Sequence, residues 1–474
     1  MLDQDERHDA IISEAKKLAA KQSCHLNEAQ LGSYLADIAG LVEWPTPLMG
    51  QIEDRFMVLP PELLRATIAT HQKYITLSDA DGKFSSNFIV LSNRLGDATR
   101  DKVIIAGNQR VLRARLADAE FFWQQDQARQ LESYLPALGD VTFYEGLGSI
   151  HDKAIRVEKL ASAIAPHMPS ADLKAASRAA RLAKADLVTG MVGEFPELQG
   201  IMGGYYAAAS GEDKAVCDAI TSHYRPQGPA DDLPATPEAM VVALADKVDT
   251  LVGFFGIDAK PTGSKDPFAL RRAALGVIRI IVDGQLTIPL GKILQAGASG
   301  YGFAKVDADL LPFIRDRLRG YLRDQKMRHD VVAAALADDD GDDIYLMATR
   351  ASALAGFLAA ADGAGLMVGW RRVSSILAAE EKKAKTAFAA TSDPALFTET
   401  EKALYEPLST MAVNQDNIES QLAALGALRS PIDLFFEKIV VNDNDPAIRL
   451  NRLGLLAMIR EKMLAVADFT KVEG

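Results

Sequence analysis

Apolar residues recur every three to four positions along most of the chain, and the departures from that rhythm mark where helices give way to strands and turns. The run DERHDAIISEAKKLAAKQ predicts an amphipathic helix. A second is expected around Leu31 to Val42, closed by a turn at Trp44, Pro45 and Pro47. From Arg55 the runs shorten: RFMVLP, then a helix PELLRATIAT, then HQKYITLSDADGKFSSNFIVLSN, where Asp81 and Gly82 separate two alternating stretches and signal a β-hairpin. His71 and Lys73, at the start of the hairpin, are read as structural residues. Residues 100–135 suit a long helix carrying Arg110, Arg113 and Arg115 beside Phe121, Phe122 and Trp123. Basic residues next to aromatics can bind single-stranded RNA. Here helical spacing from Val111 and Leu112 through Leu116 and Ala119 leads to Phe122 and Trp123, which makes these two core anchors.

The most sharply punctuated stretch runs from Pro237 to Ile281 and reads as two helices joined by one turn. Thr236 caps the first, Pro237 opens it, Leu244, Val248 and Leu251 give it a buried face, and Gly256 stops it. Pro261, Gly263 and Ser264 form the turn. Asp266 is the expected N-cap of the second helix, Pro267 presets its first φ, and Leu270, Ala274, Val277, Ile278 and Ile281 form its apolar face. Arg271 and Arg272 lie just behind this helix start and Arg279 further on. Two adjacent guanidinium groups can hold phosphate, but Asp266 would repel an anion and is itself a partner for one of them. Spacing alone favours the structural reading. Beyond Ile281 the chain reads as helical. Its loop ADDDGDD, residues 337–343, lacks the spacing and closing Glu of an EF-hand and is read as a solvated turn.

Composition narrows the classes. At 474 residues the chain is long enough for about three domains. An apolar fraction of 48% with 7% aromatics, spread in helical rhythm, indicates a mostly helical globular protein. Cys24 and Cys217 lie far apart in no metal-ligand spacing, which argues against a disulfide framework and for a reducing, cytoplasmic setting. The charged N-terminus and interrupted apolar runs support neither export nor a membrane span. A net charge of -12 argues against non-specific nucleic-acid coating but leaves room for a local basic face that binds RNA.

At Ser149 a helical unit begins, SIHDKAIRVEKLASAIA, with Ser149 and Asp152 at capping-box spacing. His151, Asp186 and Asp246 resemble, in order and spacing, the first His, the Asp of the His-Asp pair and the last Asp of an HD-type phosphohydrolase domain. Such a centre needs a His beside its middle Asp, because imidazole and carboxylate together hold the divalent metal that activates water. Here that position is Ala185, preceded by Lys184. A methyl group cannot ligate a metal and an ammonium disfavours one, so the three positions are read as degenerate.

Seven segments then carry a resemblance that threads essentially the whole chain: HQKYITLSDADGKFSSNFIVLSN, VLRARLADAEFFW, KADLVTGMVGEFPELQGIMGGYYA, ADKVDTLVGFFGI, PTGSKDPFALRRAALGVIRII, RRVSSIL and RLNRLGLLAMIREKMLAVADF. In order, they resemble the β subunit of the bacterial heterotetrameric glycine-tRNA ligase. The family's N-terminal portion is expected to have no counterpart here.

The resemblance implies a mainly α, multidomain protein. Residues 1–140 would be a partial α+β B3/B4-like domain, 141–285 an HD-like helical domain, 286–370 a helical body, and 371–474 a DALR-type anticodon-binding helical bundle. It also implies two α and two β subunits. The α partner would hold the class II site and use ATP and Mg2+, while this chain would bind no cofactor and recruit tRNA(Gly). No phosphate loop, nucleophile elbow, HExxH pair or class II arginine motif occurs in the sequence, in keeping with a chain that lacks the active site. The implied RNA contacts are Arg271 and Arg272 near the acceptor arm, and Arg371, Arg372, Arg449, Asn451, Arg452 and Phe435 in the bundle. There, donors and an aromatic ring would meet an unstacked anticodon. The competing readings are a metal-dependent HD phosphohydrolase and a catalytically inert helical scaffold.

Overall fold

The structure is a computed structural model that describes residues 3–337, 341–411 and 417–473. It is mainly helical, and its packing divides it into two units. The first takes in the described residues up to Arg225 together with Pro234–Asp246; the second takes in Pro226–Leu233 and the described residues from Lys247 onward. The four segments expected from the sequence are finer than this division.

The first unit opens with α1 (Gln4–Lys21), whose start is capped by Asp3, followed by β1 (His25–Leu26) and α2 (Glu28–Gly40). Next come β2 (Pro45–Gln51), α3 (Pro61–Arg65), β3 (Ile75–Ser78) and β4 (Phe84–Asn93). The four strands form an antiparallel sheet in the order β1-β3-β4-β2. The expected hairpin is β3–β4, and its turn is held by the Asp79 carboxylate, which accepts from the Asp81 and Lys83 amides, with Gly82 at φ +79°. The expected turn at Trp44, Pro45 and Pro47 is instead the start of β2, in register with β4 from Pro45↔Asn93 to Gln51↔Asn87. The reason is positional. β2 pairs on one side only, so alternate residues need no N–H, and both prolines fall on the unpaired side. Ile11 and Ala15 of α1 and Leu31, Leu35 and Ile38 of α2 pack in one cluster with Ile75, Leu77 and Ile89 of the sheet.

The 30-residue α4 (Ala98–Gln127), capped by Asp97, leads to β5 (Thr142–Tyr144) and β6 (Gly148–Ser149). A run of helices follows: α5 (Ile150–Ile164), α6 (Leu173–Leu182), α7 (Gly190–Glu194), α8 (Ile201–Ala209) and α9 (Lys214–Ser222). The capping box of Ser149 and Asp152 forms as expected. Phe122 and Trp123 do anchor α4: a Cβ on Gly190 would lie 2.6 Å from the Phe122 ring, and Trp123 meets Tyr205 and Tyr206. Near the helix end the buried Asp126 carboxylate accepts from the amides of Gly190 and Met191 and from the Tyr206 hydroxyl. Then comes α10 (Pro237–Gly256), capped by Thr236; the boundary between the units falls within it, after Asp246.

In the second unit α11 (Leu270–Asp283) buries Leu270, Ala274, Val277, Ile278 and Ile281 completely. It starts three residues later than Pro267 predicts. Ala269 adopts a left-handed conformation at φ 53°, and Asp266 reaches forward to accept from the Leu270 and Arg271 amides at 2.8 and 2.9 Å. Further helices are α12 (Leu290–Tyr301), α13 (Leu310–Asp324), α14 (His329–Ala335), α15 (Ile344–Ala359) and α16 (Ala361–Ala384). The chain ends with α17 (Glu399–Thr410), α18 (Ile418–Ala427), α19 (Arg429–Lys438) and α20 (Pro446–Leu464).

Asp338, Asp339 and Asp340 of the acidic loop lie outside the described residues. Asp342 accepts from the Gly291 amide and Asp343 caps α15. One core cluster joins Val331 and Leu354 with Trp370, Leu404, Phe435 and Met463. Among the described residues no single helix is long and apolar enough to cross a membrane. Only the pair α15 and α16 passes together, bent by 88°, and the cluster claims apolar residues of both.

Asp126 is the connection on which the α4–α7–α8 packing rests. Asp126→Ala is expected to destabilise the first unit by about 3 kcal/mol in urea unfolding, since two amides and a hydroxyl lose their buried acceptor. Wild-type resistance to urea would contradict this role.

Candidate functional site

Two constellations stand out, one in each unit. In the first unit Asp246, on α10, lies at the centre of a buried group of charges. Lys153 of α5 brings its Nζ to 3.2 Å from Asp246 Oδ1 and Lys184, just after α6, brings its Nζ to 3.1 Å from the same oxygen. Lys153 also donates to the Asp246 carbonyl and stands over the Phe143 ring at 4.7 Å. Lys184 Nζ lies 2.9 Å from His223 Nε2 and 3.7 Å from the centre of the Tyr224 ring. Asp246, both lysines and His223 are all buried.

Asp186, close to Lys184 in sequence, is fully buried. Its Oδ2 accepts from the amides of Gly200 at 2.5 Å and Gly203 at 2.9 Å, while Oδ1 has no hydrogen-bond partner among the described residues. Burial pushes its carboxyl up to about 6, against the two amides and the Lys184 charge, which pull the other way. Burial likewise raises the Tyr224 phenol well above its usual range, with the charges of Asp186 and Asp246 adding to the effect.

The structure therefore puts the three HD-like positions to different uses. Asp246 pairs with lysines and Asp186 ties down the start of α8. His151 is half-buried near the start of α5. Among the described residues no three His, Cys, Asp or Glu side chains gather as a metal would require. Lys153 and His223 were missed by the sequence reading. A signal existed for Lys153: it shares the apolar stripe of α5 with Val157, Leu160 and Ile164, where an unpaired ammonium is not tolerated. Nothing in the sequence marked His223.

In the second unit the residues implied as RNA contacts separate by exposure. Phe435 is fully buried in the bundle core, so it offers no face to a base. Asn451 is used internally, accepting from the Asp393 amide at 2.6 Å and donating to the Asp393 carbonyl at 3.0 Å. Arg452 is buried between Glu401 at 2.6 Å and Asp443 at 2.7 Å and also donates to the Val440 carbonyl. Burial raises the Glu401 carboxyl, but hydrogen bonds from Thr398 and Arg452 outweigh it and hold the group below its usual range. In this structure all three serve as internal ties: Phe435 by packing, Asn451 and Arg452 by hydrogen bonds and ion pairs.

Arg449 is half-exposed and pairs with buried Glu380 and with Asn442. Arg371 and Arg372 are exposed on α16, and Arg372 lies 4.3 Å over the Phe436 ring. The Arg271 guanidinium donates to the Gly263 carbonyl, while the Arg271 amide is the donor to Asp266, and Arg272 is exposed. Beside α20 a groove of about 540 Å³ runs between Leu396 and Leu450, floored by Gly454, where a Cβ would lie 2.0 Å from the Thr391 carbonyl oxygen.

The raised Asp186 carboxyl has a pH signature. Its folded-state value near 6 lies above the unfolded value near 4, so its contribution to stability is greatest below the unfolded value and is lost as pH rises through the folded one. Asp186→Asn keeps an acceptor for Gly200 and Gly203 and removes the ionisation. The stability of wild type relative to this variant is expected to fall by about 2 kcal/mol between pH 4 and pH 7. A difference independent of pH in chemical unfolding would refute the assignment.

Comparison with known proteins agrees along the chain. The model of the glycyl-tRNA synthetase beta subunit family matches residues 1–337. A glycine–tRNA ligase beta subunit of Phenylobacterium zucineum (strain HLK1) is 46% identical over an alignment that covers 100% of this chain and 70% of that protein. The beta subunits so named in Rhodospirillum centenum (strain ATCC 51521 / SW) and Ruegeria sp. (strain TM1040) are 45% and 42% identical, again over 100% of this chain and over 68% and 70% of theirs. With identity sustained from end to end and a family match over most of its length, the chain belongs to the glycyl-tRNA synthetase beta subunit family.

Proposed function

We propose that this chain is the RNA-binding, non-catalytic part of a glycine–tRNA ligase. It would recruit tRNA(Gly) through its acceptor arm and anticodon and support an α subunit that carries out ATP- and Mg2+-dependent glycylation, two α and two β subunits working together in the cytoplasm. The observation that carries the reading is the identity of 42–46% along the whole chain with proteins named as beta subunits of that ligase. The geometry supports it at the surface. Arg371, Arg372 and Arg272 are exposed cations in a chain of net charge -12, so they offer local attraction for a phosphate backbone. Arg449 lies on the same helix as the apolar groove at Leu450, whose walls suit the face of an unstacked base. The anticodon reading thus rests on Arg371, Arg372 and Arg449, and the acceptor-arm reading on Arg271 and Arg272.

Two measurements test this. With an α subunit present, glycylation should exceed that of α alone, and the chain by itself should form no glycyl-tRNA. Activity of the isolated chain, or no gain on mixing, would count against the proposal. In direct binding, Arg371→Ala with Arg372→Ala should weaken tRNA uniformly and reduce the slope of log affinity against log salt by about 2, one for each phosphate left without its arginine. Arg452→Ala should instead cost about 2 kcal/mol of stability, a buried-pair loss discounted for the solvent reaching Asp443. An unchanged salt slope in the double variant would remove the α16 surface from the proposal.

A further inference from the structure

An HD-type centre gathers imidazole and carboxylate groups around a divalent cation. The residues of this chain do not fit one, because both Lys153 and Lys184 stand about 3 Å from an oxygen of the Asp246 carboxylate, and no three His, Cys, Asp or Glu side chains gather among the described residues. We propose that these two ammonium groups are a built-in replacement for the metal ion, holding the same kinds of ligand together while supplying none of its chemistry. The surroundings of Lys184 are those of a bound cation: a carboxylate oxygen at 3.1 Å, an imidazole nitrogen at 2.9 Å and the face of Tyr224 at 3.7 Å.

His223 is set up as a metal-bound histidine is. Its Nδ1 lies 2.6 Å from the Ile220 carbonyl oxygen, which can only accept, so Nδ1 carries the proton and Nε2 presents a lone pair to the ammonium. Together Lys153 and Lys184 bring a charge of +2, that of a divalent ion, on two tethered groups contributed by α5 and the segment after α6. An ammonium has no vacant position for water and cannot generate a bound hydroxide, so the arrangement keeps the cohesion of a metal centre and loses its nucleophile. This goes beyond RNA binding and does not depend on it.

The test uses the full chain after dialysis against EDTA. Wild type is expected to hold no stoichiometric divalent metal, to melt at the same temperature with EDTA, Mn2+ or Zn2+, and to release no phosphate from bis(p-nitrophenyl) phosphate with either ion. Lys184→Met is expected to lower Tm by about 10 °C, since it leaves Asp246 and His223 without their shared cation. If that variant fails to accumulate, Lys153→Met, which leaves one ammonium on Asp246, decides the question with an expected loss of about 5 °C and still no bound metal. One equivalent of metal retained by wild type, a Tm lowered by EDTA, metal-dependent phosphate release, or a lysine variant melting at the wild-type temperature would each overturn the proposal.

Discussion

One carboxylate shared by two buried ammonium groups sets the terms for the first unit. α10 is buried over residues 241–246, so a charge there loses most of its contact with water and is stabilised by an opposite charge inside the protein. Asp246 meets that demand with Lys153 and Lys184, drawn from two other elements. Each lysine is itself buried and faces the same carboxylate oxygen. The three groups are therefore interdependent, and the positions of α5, the segment after α6 and α10 are tied to one another by electrostatics as well as by apolar packing. Asp186 sharpens the point. It sits beside Lys184 in sequence but spends its oxygen on two amides instead of the ammonium, and burial lifts its carboxyl towards neutrality.

The second unit solves the same problem with arginine. Arg452 on α20 bridges Glu401 of α17 and Asp443, and its planar fork satisfies two carboxylates and a carbonyl at once. Arg449, three residues earlier on the same helix, sends its guanidinium to Glu380 of α16 while remaining half-exposed. Cations of one helix are thus divided between holding the bundle together and facing solvent, and only the latter are available to an RNA.

This division explains how much the sequence could tell. Periodicity located the helices, the Asp81-Gly82 hairpin and the buried faces of α10 and α11, because those signals are local. The strand at Pro45 and Pro47 was hidden, since proline reads as a breaker until the position on a sheet edge is known. The cap of α11 was assigned to the right residue, Asp266, but with the wrong reach, because Ala269 takes a left-handed conformation that no local rule required. Arg452 and Asn451 looked like a recognition face because their partners, Glu401 and Asp393, lie more than fifty residues away. A charged side chain in an apolar stripe, as with Lys153, is the one local trace such a distant partnership leaves.

An ammonium pair on Asp246 is compatible with the proposed RNA binding for a physical reason. A hydrolytic metal centre beside a bound tRNA would place an activated water near phosphodiester bonds, whereas an ammonium pair gives the same elements cohesion without a Lewis acid. Cohesion of this kind is also independent of metal supply and of the pH at which metal ligands lose protons. In the second unit the exposed arginines of α16 form a surface of their own. Their neighbour Phe436 gives Arg372 a flat apolar support, which restrains a guanidinium without neutralising it. A cation held this way loses less freedom on meeting a phosphate than one on a mobile stem, so the packing inside the bundle would also serve the tRNA affinity proposed for its surface.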